Sequence, residues 1–179
     1  MHPGLAVRTS AIEGHGLVAT EPVPEGTVVV RLGGRLVPTD ELARLLAAAA
    51  HADAPFVDTV TIDEDLHLVL PPGTRAHFGN HSCDPTLWHV GPYDLAARRD
   101  LGAGDEATVD YGTQSGAAFT MPCRCGSERC RGVVSADDWR RPELRRRYGD
   151  HWTPALRRRI GADPATGRPG PPPPGPGAG

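Results

Sequence analysis

Four cysteines constrain this chain more than any other feature. Cys123, Cys125 and Cys130 fall within eight residues as Cys-x-Cys-x4-Cys, and Cys83 lies forty residues upstream. Three soft ligands leave a tetrahedral site one short, and Cys83 is the one cysteine left to close it. A metal held by all four would pin the C-terminal segment onto the middle of the chain. The alternatives are two disulfides or four ordinary thiols. The N-terminal residues Met1 to Arg8 contain no apolar run like a secretory signal, which disfavours disulfides. Four thiolates also leave no open position for water, so such a metal is structural and not catalytic.

The chain has 179 residues, enough for one domain with a small appendage. Few aromatics among 22 glycines and 19 prolines point to a turn-rich, mainly β architecture with short helices. Patterning predicts strands at Leu5 to Arg8, Leu17 to Ala19, Thr27 to Leu32, Arg35 to Val37, Leu87 to Val90, Leu95 to Arg98 and Ala107 to Tyr111. Val57 to Ile62 and Leu66 to Leu70 read as a hairpin around Asp63-Glu64-Asp65. Helices are expected from Thr39 to Ala50, Trp139 to Tyr148 and Ala155 to Ile160, the last capped by Thr153 with Pro154 at its first position. From Gly161 onward the Pro/Gly-rich tail cannot bury a core and is expected to be disordered.

All nineteen basic residues are arginine, a usage that fits a GC-rich genome and points to a bacterial source. With no lysine, the chain cannot modify a lysine of its own. The net charge of −3 argues against a generic nucleic-acid binder, although Trp139 to Arg159 holds eight arginines against Glu143 and Asp150. That segment reads first as a solvated helix face, with a contact for nucleic acid or an acidic partner as the alternative. Asp53, Asp58, Asp63, Glu64 and Asp65 form an acidic run, read either as solvated surface or as a docking face for a basic target. No stretch approaches the roughly 20 apolar residues of a membrane-spanning helix. A soluble cytoplasmic protein is the expectation.

Polar chemistry gathers in His77-Phe78-Gly79-Asn80-His81-Ser82-Cys83-Asp84-Pro85. His77 and His81 are four apart, but Phe78 stands where a zinc hydrolase motif requires its glutamate. A Cys83 nucleophile paired with His81 and a plain backbone-bonding turn are further alternatives. Gly14-His15-Gly16 is either a simple hairpin turn or a close backbone approach to a ligand. Within an extended Ala107 to Tyr111, Val109 and Tyr111 share one face.

Together with Gly104-Asp105-Glu106-Ala107-Thr108-Val109-Asp110-Tyr111-Gly112, these segments resemble the SET-domain protein lysine methyltransferases. That family reads roughly R-F-x-N-H-S-C-x-P-N, then G-E-E-L-T-F-D-Y, then a post-SET C-x-C-x4-C. The resemblance runs from about Leu5 to Val134. It implies a β-clip-like, pseudoknotted SET domain over 4–113, a post-SET zinc lobe over 119–135, an arginine-rich helical extension over 136–160 and the tail over 161–179. It implies S-adenosylmethionine held by Gly14, His15, Gly16, Asn80, His81 and Tyr111, with Tyr111 as the catalytic tyrosine. Val109 and Phe119 would line the substrate channel, and structural zinc would sit on Cys83, Cys123, Cys125 and Cys130. The implied activity is methyl transfer to lysine in a basic protein partner, with nucleic acid and membrane excluded as direct substrates. A non-catalytic, zinc-stabilised interaction module is the alternative. The chain departs from the pattern at His77 (Arg in the family), Thr86 (Asn) and Val109 (an aromatic gate), and it lacks a family tyrosine near Leu32-Gly33-Gly34.

Overall fold

The computed structural model describes residues 1–51 and 57–164. Three of its four small antiparallel sheets share the main apolar core, and the fourth packs on a separate small cluster around the cysteines. Strands β1 (Leu5–Thr9) and β2 (His15–Ala19) form the first hairpin, in the register Leu5 with Ala19 and Thr9 with His15. Strand β3 (Val28–Arg31) later joins a three-stranded sheet, and β4 (Arg35–Val37) leads into α1 (Thr39–His51). Then come β5 (Thr59–Asp63) and β6 (Leu66–Val69), which pair with β4 in the order β4-β6-β5. Strands β7 (Leu87–Val90) and β8 (Asp94–Ala97) complete the β3-β8-β7 sheet. Strands β9 (Thr120–Pro122) and β10 (Val133–Ser135) form a separate pair flanking the cysteine segment, and α2 (Pro142–Tyr148) and α3 (Pro154–Ala162) follow.

The core explains the strand positions. Leu5, Leu17, Val29, Val30, Leu68, Leu87, Leu95, Leu101, Ala107 and Val109 pack into one buried cluster. Strict alternation would send one of Val29 and Val30 outward. A register shift between Val28 and Val30 in the β3–β8 ladder lets both face inward. No helix among the described residues is long and apolar enough to cross a membrane.

Several local expectations change. Residues 107–111 do not form a continuous strand. Isolated bridges tie Glu106 to Val18 and Val109 to His81, and Tyr111 opens a 3-10 turn over Tyr111–Thr113. This stretch sits between segments that are themselves separate, so no single neighbour pairs along its whole length. The Thr39 hydroxyl is engaged with His67 Nε2 at 3.0 Å, and Thr153 makes no side-chain capping bond although it occupies the position before Pro154. The helix expected over 139–148 is a 3-10 turn, Asp138–Arg140, and then α2, broken because Pro142 restricts the residue before it. Helix α3 continues to Ala162, two residues past the expected end. The remainder of the Pro/Gly tail, from 165, and Asp53 lie outside the described residues.

The arginine-rich extension is solvated on one side, where Arg140, Arg141, Arg146, Arg157 and Arg158 are exposed, and packed on the other. Trp139, Leu144, Tyr148, Trp152 and Leu156 bury a second cluster, with Tyr148 and Trp152 edge to face at 5.5 Å. Its arginines fasten that cluster to the body. Arg147 donates to the Cys83 carbonyl at 2.8 Å, Arg159 to the Gly116 carbonyl at 3.3 Å, and Arg158 pairs with Asp63. The acidic run is engaged too, since Asp58 pairs with His77 and Asp65 accepts from the Thr39 amide.

Candidate functional site

Glu106 and Asn80 build the site from the β1–β2 hairpin inward. The Asn80 side-chain amide donates to the carbonyls of Glu13 at 3.1 Å and His15 at 3.0 Å, and to Glu106 Oε1 at 2.8 Å. The same carboxylate accepts from Ser10 Oγ at 2.8 Å. At Gly16 a Cβ would lie only 2.2 Å from Glu106 Oε1, so only glycine lets the carboxylate lie against this strand. The hairpin tip is therefore fixed by a half-buried carboxylate, and Asn80→Ala should free it. We expect backbone hydrogen exchange at the hairpin tip, residues 13–16, to be about tenfold faster in that variant, through loss of about 1.4 kcal/mol of local order.

His81 is bracketed by backbone on both sides. The Val109 amide donates to the Asn80 carbonyl at 3.0 Å, and the Ser82 amide donates to the Val109 carbonyl at 3.1 Å. Residues 80–82 thus run parallel to 108–110 and bring the central motif beside the tyrosine segment. Burial drives the His81 pKa down to about 4, against the pull of Asp110, so the ring is neutral at pH 7. Its Nδ1 accepts from the Tyr111 amide at 3.1 Å, which places the ring proton on Nε2, 3.3 Å from Cys83 Sγ. His81 and Cys83 do meet, although they are two apart in sequence. Cys83 is fully buried, and burial raises its thiol to about pH 11, which is unsuited to a nucleophile.

Tyr111 is half-buried, and its hydroxyl donates to the Gly79 carbonyl at 2.9 Å. Burial, followed by the charges of Asp58 and Glu106, raises its phenol pKa, so the group is a neutral donor and not a phenolate. Two cavities meet at this side chain. One, of about 270 Å³, is lined chiefly by Val30, Leu32, Val109 and Phe119. Among the described residues, Asp58 is the only charged one lining it. The other, of about 300 Å³, is bounded by Ile12, Glu13, Asn80, His81, Met121 and Arg124, with Pro122, Cys123 and Cys125 behind them. Among the described residues, Tyr111 is the one common to both linings.

The four cysteines converge as their spacing implied. Their Sγ atoms all lie within 4.8 Å of one another, and Cys83 and Cys123 are 3.7 Å apart. A tetrahedral centre with metal–sulfur bonds of about 2.3 Å places its sulfurs about 3.8 Å apart, so the cluster is a fitting cradle for a metal ion. The amides of Cys83 and Arg131 donate to Cys125 Sγ at 3.4 Å and to Cys83 Sγ at 3.3 Å, respectively, as bonds to thiolate ligands do.

The structure thus brings together Asn80, His81, Val109, Tyr111, Phe119 and the cysteines. Gly14, His15 and Gly16 stand beside the second cavity without lining it and reach it through Asn80. His77, in place of the family arginine, pairs with Asp58 and donates from Nε2 toward the Pro71 carbonyl at 3.0 Å. Sequence reasoning passed over Glu106 as a structural hub, and also Asp58, Asp110 and Arg131. The one available signal was an acidic residue in each of two otherwise apolar strand-like segments.

The sequence profile of the SET domain matches residues 14–112. Among curated proteins, histone-lysine N-methyltransferase 2B of Homo sapiens is 31% identical over 73% of this chain and 5% of its own length. Histone-lysine N-methyltransferase ash1 of Drosophila melanogaster is 27% identical over 77% of this chain and 7% of its own. A Candida albicans histone-lysine N-methyltransferase, H3 lysine-36 specific, is 26% identical over 66% and 15%. The chain therefore spans only a small part of the curated relatives it matches. In fold it is similar to the methyltransferase domain of human histone-lysine N-methyltransferase SETMAR, with a TM-score of 0.58, 21% identity, and coverage of 73% of this chain and 57% of that one.

Proposed function

The chain belongs to the SET-domain family, and from that premise we propose that it transfers a methyl group from S-adenosylmethionine to a lysine side chain of a protein. One observation carries the reading: Tyr111 is the single side chain shared by a cavity with polar edges and a largely apolar one. The polar cavity takes the cofactor, bordered by Asn80, His81 and Arg124, with Gly14, His15 and Gly16 holding its outer edge. The apolar cavity takes the lysine, whose alkyl stem suits Val30, Leu32, Val109 and Phe119. Asp58 supplies one carboxylate to draw in the ammonium head.

S-adenosylmethionine supplies the electrophilic methyl on a positively charged sulfur. The acceptor amine must be neutral, and in water deprotonation at pH 7 costs roughly 4.6 kcal/mol from a reference pKa of about 10.4. The apolar lining of the lysine cavity lowers that cost by desolvating the ammonium. Tyr111, held neutral by burial, cannot act as a strong base. Its hydroxyl and the Gly79 carbonyl it faces orient the amine, so positioning is the main contribution of these groups.

The cysteine cluster suits zinc, held by Cys83, Cys123, Cys125 and Cys130. The metal would hold β9 and β10 against the body, where Met121 to Cys125 wall the cofactor cavity. The acceptor is a basic, lysine-containing protein distinct from this lysine-free chain, and the relatives' names make core histones the first substrate to try. Val109 leaves the lysine cavity wider than an aromatic residue would. We expect Val109→Phe to lower the highest methylation state reached by at least one methyl, read by intact-mass spectrometry of the product.

The test is incubation of the full chain with methyl-labelled S-adenosylmethionine and core histones, followed by mass spectrometry of lysine-containing peptides. Labelled lysines establish the activity. Bound cofactor and metal without label would favour the non-catalytic interaction module.

A further inference from the structure

Composition makes the C-terminal helices an appendage, yet two of their side chains reach the turn that carries Tyr111. Asp110 caps this 3-10 turn by accepting from the Gly112 amide at 3.0 Å. The same carboxylate accepts from Arg131 NH1 and NH2, both at 2.7 Å, and from the Tyr148 hydroxyl at 2.7 Å. Arg131, immediately after Cys130, also pairs with Asp138 at 3.0 Å, and Arg141 closes on Asp138 at 2.9 Å. Asp110 and Asp138 are almost wholly buried, and so is most of the Arg131 side chain.

Gly112 shows how close the extension comes. A Cβ there would meet the Asp138 Cβ at 3.0 Å and its Oδ2 at 3.1 Å, so Asp138 fills the space a side chain would need. A guanidinium is always protonated in proteins, so Arg131 brings a positive charge between the carboxylates of Asp110 and Asp138. A buried ion cluster of this kind contributes little net stability against an apolar replacement, because desolvation offsets its Coulomb energy. The cluster does restrain geometry: Asp110 is held at once by the Gly112 amide, the Arg131 guanidinium and the Tyr148 hydroxyl.

We propose that Tyr148 and Asp138 are positioning residues for methyl transfer, acting through Asp110 and Arg131 on the Tyr111 turn, so that the helical extension completes the site. The proposal rests on the methyltransferase reading, but one of its two readouts does not. Tyr148→Phe removes one donor from Asp110 and keeps the ring that packs on Trp152. The orientation of Tyr111 then has one restraint fewer, and errors of about 1 Å in a reacting geometry cost up to about a hundredfold in rate.

The experiment uses the full chain with its metal, labelled with 3-fluorotyrosine. Its three tyrosines, Tyr93, Tyr111 and Tyr148, give three fluorine lines, assigned by single Phe substitutions. In Tyr148→Phe we expect the Tyr111 line to shift or split while the Tyr93 line stays in place. With core histones as acceptor, kcat should fall about tenfold with both KM values within about twofold. An unmoved Tyr111 line in the folded variant overturns the proposal, whatever the rate does. If the variant loses the native Tyr93 line, and with it the fold, Asp138→Asn replaces it under the same two readouts. If the unsubstituted chain transfers no methyl, the fluorine spectrum still decides: a moved Tyr111 line upholds the coupling while the transfer reading falls.

Discussion

Replacing Tyr111 by phenylalanine should lower methyl transfer about a hundredfold and leave S-adenosylhomocysteine affinity within about twofold. The ring stays between the two cavities, so the shapes of both are kept. What is lost is one hydroxyl, which donates to the Gly79 carbonyl at 2.9 Å. That bond is worth about 1 kcal/mol to the fold, too little to unfold a domain with this core. On the proposed reading the effect on rate is larger, because the hydroxyl would act where the amine is aimed at the methyl. Stopped single-turnover assays and calorimetry separate the two quantities. A variant that turns over like the parent would remove Tyr111 from the chemistry and leave it as a wall.

With a metal on the cysteine cluster, as proposed, its removal should open the lobe formed by β9 and β10 while the main core stays folded. Strands β9 and β10 are three residues each, and the cluster beneath them is Cys83, Cys123 and Val134 with a few half-buried neighbours. So little buried surface cannot hold the segment alone, whereas structural zinc sites contribute on the order of 10 kcal/mol or more. With the lobe released, the cofactor cavity loses its Met121 to Cys125 wall. S-adenosylhomocysteine should then bind at least about tenfold more weakly, and all four thiols should react with a disulfide reagent. Cys83→Ser should reproduce most of this, since Cys83 is the one ligand supplied by the body. Unchanged cofactor binding after verified metal loss would mean that the lobe is held by Arg131 on Asp110 and Asp138 instead.

Much of this was legible in the residues. The cysteine spacing implied the cluster, and the four sulfurs do converge. The Gly104 to Gly112 segment implied Val109 and Tyr111 on one face, and both line the same cavity although the segment is not a regular strand. These features are local or carry a fixed chemistry, so spacing alone exposes them. The role of Glu106 was hidden because its partners, Ser10 and Asn80, are 96 and 26 residues away. Nor does the sequence reveal that Asp58 faces an apolar cavity, since it reads as one of an acidic surface run.

The extension marks the boundary most clearly. Its sequence determined helical segments rich in arginine, because helix signals and charge are written along the chain, although the first segment is split at Pro142. Whether those arginines face solvent or the body was decided only when folding set Tyr148 and Asp138 against Asp110 and Arg131. A charge in sequence has no partner until two distant segments exclude water between them. The pairing that shapes this site is therefore a property of the tertiary structure.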